Sequence, residues 1–126
     1  MSTLQLGGVS TDGFRATAAQ DDARLVLAFS GSGDMNAITP LSEYLRQVHA
    51  EALRLRVTEV CCDFRQLTFM NSSCFKSFVV WIDTVKTSAE GYQIRFLTDP
   101  NLHWQRRSLE ALRRLAANIV TVVATA

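Results

Sequence analysis

The sequence predicts an α/β domain with a mixed central sheet of about four to five strands packed with helices. Three observations carry this. Arg24 to Ser30 alternates apolar and smaller residues at a period of two. Three later stretches repeat apolar residues at helical spacing. Short β-branched runs lie between those stretches, so strands and helices alternate along the chain. At 126 residues there is room for one domain, residues 1–126, and no linker or internal repeat divides it.

Residues 1–12 are small and polar with two glycines and read as a loose lead-in. Phe14 to Ala18 reads as a short edge strand, and Gln20, Asp21 and Asp22 supply turn chemistry. In Arg24 to Ser30, Leu25, Leu27 and Phe29 share one face. Gly31-Ser32-Gly33-Asp34 breaks that pattern. A helix follows, with Thr39 placed to cap it and Pro40 in its first turn, where a missing N–H costs nothing. Its stripe is Leu41, Leu45 and Val48 with Tyr44 and Ala52 beside it, and Arg54 to Arg56 end it.

Val57 to Asp63 reads as a buried strand and Arg65 to Asn71 as the link to a second helix, which begins near Ser72. Phe75, Val79 and Ile82 form its stripe, widened by Phe78, Trp81 and Val85. Gly91 suits a left-handed stop after it. Gln93 to Leu97 is the next strand. Asp99-Pro100 then opens the way to a third helix with Leu102, Leu109, Leu112 and Leu115 buried, and Ile119 to Val123 is a last short strand.

Composition excludes several classes of function. With 48% hydrophobic and 20% charged residues the chain can bury a core and is not disordered. A net charge of +1 argues against a generic nucleic-acid binder. No apolar run approaches the ~20 residues that span a bilayer. The first ten residues lack a signal peptide's charged start and apolar stretch, so the expected location is the cytoplasm.

The three cysteines fit that compartment. Cys61 and Cys62 are adjacent in a strand and point to opposite faces, and no CxxC pair suggests zinc. His49 and His103 fall on different helices, so neither a metal nor another cofactor is expected. Gly31-Ser32-Gly33 meets Asn36 where a dinucleotide loop needs glycine. No serine sits in a GxSxG elbow, so no catalytic residue is assigned and the chain is not read as an enzyme. Arg106, Arg107, Arg113 and Arg114 fall on the polar face of the last helix, either as a solvated surface or as an interaction patch.

The informative stretch is Leu67 to Lys76, LTFMNSSCFK. A strand runs into a turn, and Asn71, Ser72 and Ser73 stand where a helix starts. Such residues commonly cap the free N–H groups of a first turn, a contribution of about 1 kcal/mol per cap. A hydroxyl there also faces unpaired donors and the positive end of the helix, where the fold can accept a phosphoryl group. That group would repel a partner docked over the turn.

The order of elements and the turn resemble the STAS domain, the fold of the bacterial anti-sigma factor antagonists. That family has a Gly-Glu-Leu-Asp strand end and, later, a Phe-Met-Asp-Ser-Ser-Gly-Leu turn. Here Gly31-Ser32-Gly33-Asp34 stands at the first place and Phe69-Met70-Asn71-Ser72-Ser73-Cys74-Phe75 at the second. Gly91, before Tyr92 to Phe96, resembles the family's glycine-then-strand step. The resemblance runs from about residue 24 to the C-terminus. Asn71 replaces the family's Asp, removing a charge beside the hydroxyl, and Cys74 replaces Gly, adding a side chain where the backbone is usually bare.

The resemblance implies a phosphorylation site at Ser72, with Ser73 as the alternative. It implies a cognate anti-sigma factor with serine-kinase activity, bound by the unphosphorylated chain and released after phosphorylation, and a phosphatase that resets the cycle. The implied docking surface is Met70, Asn71, Ser72, Ser73, Cys74, Phe75 and Lys76, joined by Asp34, Met35 and Asn36. The Asn-Ser-Ser-x-x-Lys form also resembles a diverged branch in biofilm and second-messenger control, with Thr after the Asn at the position of Ser72. The alternatives are a constitutive STAS module in a signalling or lipid-transport complex, and a domain that itself binds a small molecule or nucleotide.

Overall fold

A computed structural model describes residues 4–125. Six strands, β1 (Val9–Thr11), β2 (Phe14–Asp21), β3 (Arg24–Gly33), β4 (Glu59–Met70), β5 (Gln93–Thr98) and β6 (Val120–Ala124), form one sheet in chain order. The first three pair antiparallel and the last four parallel, which makes the sheet mixed. Helices α1 (Ile38–Leu55), α2 (Ser72–Thr87) and α3 (His103–Leu115) are the crossovers between parallel strands. Among the described residues no helix is long and apolar enough to cross a membrane.

The alternation in β3 sets the inner face. Leu25, Leu27 and Phe29 are buried with Val60, Cys62 and Phe64 of β4 and Ile94 and Phe96 of β5. All three helices close over this face, through Leu41, Leu45 and Val48 of α1, Phe78, Trp81 and Ile82 of α2, and Leu109 and Leu112 of α3. Phe64 is the hub of an aromatic cluster, with ring centroids 5.4 Å from Phe29, 5.2 Å from Phe78 and 5.2 Å from Phe96. Edge-on contacts of this kind are worth about 0.5–1.5 kcal/mol beyond their area. The opposite face carries a charged row in which Glu59 lies between Arg24 (3.7 Å) and Arg95 (3.4 Å). Cys61 on that face and Cys62 on the inner face are both buried, and all three cysteines are free.

Several elements differ from the sequence reading. The sheet has six strands, because the lead-in contributes β1 and Leu4 and Leu6 pack against the core. β2 runs on to Asp21 and lies between β1 and β3, not at the edge. Asp12-Gly13 joins β1 to β2, and Gly13 takes φ +88°. Gly31, at φ +87°, lies so close that an added Cβ would sit 2.1 Å from the Gly13 carbonyl. Only glycine fits both positions.

Thr39 is not a cap. Asp34 instead caps a 3-10 turn at Met35–Ala37, with its carboxylate accepting from the Asn36 N–H at 3.1 Å, and that turn runs directly into α1. Pro40 stays within the first turn of α1, as its lost donor allows. Gly91 is not a left-handed stop, since α2 ends at an extended Ser88. An added Cβ at Gly91 would meet the Val85 carbonyl at 2.9 Å, so close approach accounts for this glycine. Leu102 is the residue before α3 and not part of its buried stripe, while Leu115 is 44% exposed. Gln105 takes the buried place on that helix.

The largest difference is in β4. Residues 65–70, expected as a loop, continue the strand. β4 pairs with β5 only as far as Asp63 and then follows β3 alone, with register shifts after Ala28 and Gly31. This departure strips backbone groups of their partners in the interior. Gln105, 0% exposed, replaces them: Nε2 donates to the carbonyls of Phe64 (2.6 Å) and Leu67 (2.9 Å), and Oε1 accepts from the Asp99 N–H (3.0 Å).

A second buried network holds α1, α2 and the start of β5 together. The Tyr92 hydroxyl accepts from Trp81 Nε1 at 3.0 Å and lies 2.8 Å from His49 Nδ1. Burial pushes the His49 imidazole below its ordinary value. The neutral ring can therefore accept a hydrogen bond from the Tyr92 hydroxyl at Nδ1.

Gln105→Leu should leave two carbonyls and one N–H unpaired and cost about 2–4 kcal/mol, read as a lowered urea midpoint. For His49, the unfolded chain takes up a proton near its reference value of 6.5 that the folded chain resists. Stability therefore falls with acidification, and the melting temperature should drop from about pH 7.5 to about pH 5.5. His49→Gln, which keeps an acceptor but does not titrate, should flatten that part of the profile.

Candidate functional site

The ends of β3 and β4 are paired, Ser32 with Phe69 and Gly33 with Met70. The Asn71 N–H donates to the Gly33 carbonyl at 2.8 Å, so the turn after β4 and the turn after β3 lie side by side. Asp34, Met35 and Asn36 are thus brought next to Met70 to Lys76 at the C-terminal end of the parallel strands, where loops gather. The two predicted segments form one surface.

Within it the roles divide. Asn71 alone caps α2: it is extended, at ψ 170°, and its Oδ1 accepts from the Cys74 N–H at 2.8 Å. Ser72 and Ser73, the first two residues of the helix, are exposed. Among the described residues neither hydroxyl is engaged as a cap, and Ser73 enters the network only through its carbonyl, 3.4 Å from Ser77 Oγ. The capping reading therefore holds for Asn71 and not for the serines. Their backbone N–H groups sit at the open end of α2, where the helix dipole favours an anion.

Cys74, counted in sequence among the docking residues, is fully buried and offers no surface to a partner. Its Sγ lies 3.7 Å from the Asp34 carbonyl and tucks the first turn of α2 beneath the β3 turn. Burial, reinforced by Asp34, pushes its thiol up, so it is a packing group and not a reactive thiolate. Phe75 is half-buried against the core, whereas Lys76 is exposed.

Two apolar side chains dominate the exposed part. Met35 is 81% exposed and Phe69 49% exposed. Phe69 was not in the sequence-derived docking set, because residues 65–70 read as a linker, whose residues have no inner or outer face. Leu67 is buried while Thr68 and Phe69 are both exposed, because the register shift after Gly31 leaves Thr68 unpaired and interrupts the alternation, so no period in the sequence places Phe69 outward. Asp34 and Asn36 flank Met35 in the chain and Ser32 pairs with Phe69, and exposed apolar side chains set among polar ones are a pattern of surface that proteins use for contact. Among the described residues no group of three or more His, Cys, Asp or Glu is placed to hold a metal ion.

No family model and no curated protein matches the sequence. Solved structures do. The chain is similar to an anti-sigma factor antagonist from Mycobacterium paratuberculosis, with a TM-score of 0.64 at 17% identity over 83% of this chain and 84% of that one. It is also similar to a chain of the complex between the diguanylate cyclase SiaD and its activator SiaC from Pseudomonas aeruginosa, with a TM-score of 0.58 at 17% identity over 87% of this chain and 92% of that one. The fold is thus the one shared by the anti-sigma factor antagonists, with a mixed sheet and three helices.

The division of labour at the turn has a direct test. Asn71→Ala should cost about 1 kcal/mol by removing the cap, whereas Ser72→Ala should stay within about 0.5 kcal/mol. Chemical denaturation of the two variants under one condition checks both values.

Proposed function

We propose that this chain is a protein-binding switch of the antagonist type. Unmodified, it holds a cognate anti-sigma factor with serine-kinase activity; phosphorylated at Ser72, it releases that partner, and a phosphatase restores binding. The chain supplies no catalytic group in this reading. The partner brings the ATP site, and this chain is substrate and ligand in turn.

The observation that carries the proposal is the state of Ser72. It is exposed at the first position of α2, and the cap that serine commonly provides is already made by Asn71. The fold therefore does not need this hydroxyl. A phosphoryl group there would face the open N–H groups of the first turn and leave the packing of Cys74 and Phe78 untouched. It would also add nearly two negative charges to the surface that carries Met35 and Phe69. An apolar contact centred on those side chains would have to desolvate that charge, which is costly. The replacement of the family's Asp by Asn71 fits the same arrangement, since a neutral side chain also caps. The buried Cys74 leaves the outer surface of the turn clear.

The experiment is a pull-down from the native lysate with wild type, Ser72→Ala and Ser72→Asp, followed by titration of the retained protein. Ser72→Ala should bind within about threefold of wild type, and Ser72→Asp should bind at least about tenfold more weakly through charge repulsion and desolvation. Equal binding by the three would make the domain a constitutive module and sink the switch.

A further inference from the structure

A second surface lies two strands away from the turn. β6 is the last strand of the sheet, and among the described residues nothing pairs with its outer edge. Its Ile119 carbonyl and Thr125 N–H bond to β5, so the alternation of a strand turns the N–H and C=O groups of Val122 and Ala124 outward. Edges of this kind are usually blunted by charge, proline or a bulge, and β6, reading VTVVA, has none of these. β1, the other edge, is only three residues long.

The side chains of Val122 and Ala124 form the floor of a groove of about 950 Å³ between β6 and α3. Its wall is one face of α3, with His103, Arg106, Arg107 and Arg113, and its end is the Thr98–Pro100 turn. Arg113 and Arg114 share Glu110, at 2.5 and 3.7 Å, whereas Arg106 and Arg107 are exposed and enter no ion pair among the described residues. In a chain of net charge +1, this helix concentrates four arginines against one glutamate.

We infer that the open edge of β6 and the arginine face of α3 together form a docking site for an extended, acidic segment of a partner protein. An added strand alternates its side chains between the two faces of the sheet, so every second residue would point into the groove towards Arg106 and Arg107. Its backbone would pair with Val122 and Ala124. Carboxylates at alternate positions satisfy both demands at once. A nucleic-acid strand fits less well, because a sugar–phosphate chain has no alternating N–H and C=O groups to pair with the open edge of β6. This site goes beyond the switch at Ser72 and does not depend on it.

The test is a titration of the isotope-labelled full chain, followed by NMR, with an acetylated peptide of alternating Val and Glu and with its Val and Lys counterpart. The Glu peptide should shift the amides of Val122 and Ala124 and the side-chain Nε signals of Arg106 and Arg107, and the Lys peptide should not. Arg106→Glu combined with Arg107→Glu should weaken binding at least about tenfold, as should high salt. Val122→Pro should abolish it while leaving the β5 pairing intact, because the lost N–H points outward. Ser72→Asp should bind the peptide as wild type does, whatever that variant does to the switch. Equal binding of the two peptides, shifts confined to other residues, or no shift with either overturns the proposal. So does tighter binding of a single-stranded oligonucleotide at the same arginines, or self-association through β6 that Val122→Pro abolishes.

Discussion

The structure depends on one side chain whose hydrogen bonds are fully used. β4 leaves β5 after Asp63 but stays in the interior, and an unpaired carbonyl there would cost about as much as a whole hydrogen bond contributes. Gln105 reaches across from α3, donates to both unpaired carbonyls and accepts from the N–H of Asp99. The strand is then free to continue along β3 alone. That continuation carries Phe69 outward and delivers Asn71 beside Gly33. Gln105 thereby supports the turn, whose position beside the neighbouring loop is fixed by the β3–β4 pairing and the Asn71–Gly33 hydrogen bond. A residue that supports the site is therefore remote from it and belongs to a different helix.

At the turn itself, the structural demands do not fall on the serines. Asn71 satisfies the helix end, Cys74 locks the first turn beneath Asp34, and the hydroxyl between them stays in water. Such a separation lets one group change charge without a cost to the fold. On the proposed reading, the exposed Met35 and Phe69 supply the apolar area that a partner covers, and a phosphoryl group on that hydroxyl opposes the contact.

Much of this was legible in the sequence, and the failures have physical causes. The alternation in Arg24 to Ser30 and the helical stripes of α1 and α2 gave the core directly, because burial on one face imposes a period. The pairing of Asp34 to Asn36 with Met70 to Lys76 followed from the parallel order of strands. What sequence could not show was a strand that changes partners. The register shifts in β4 break its alternation, so RQLTFM carries the signature of a loop. Gln105 was invisible for the same reason: a polar residue in a helical stripe reads as surface until the carbonyls it serves are located. Thr39 looked like a cap because Asp34 starts helical structure one short turn earlier. Leu115 matched the stripe of α3, but it lies where the helix ends and is only partly covered.

The strict chain order of the sheet bears on how the molecule is made. Every strand pairs only with its neighbours in sequence, and no closure spans more than one crossover helix. The entropy of joining distant segments is therefore met in small steps instead of one large one. A chain emerging from a ribosome can form the β1–β2–β3 meander first, then add α1 with β4, α2 with β5 and α3 with β6, each on the edge left by the last. On that route β4 must wait, its outer half half-satisfied, until Gln105 arrives near the C-terminal end. The turn after β4 is thus among the last segments to become rigid, although it lies near the middle of the chain.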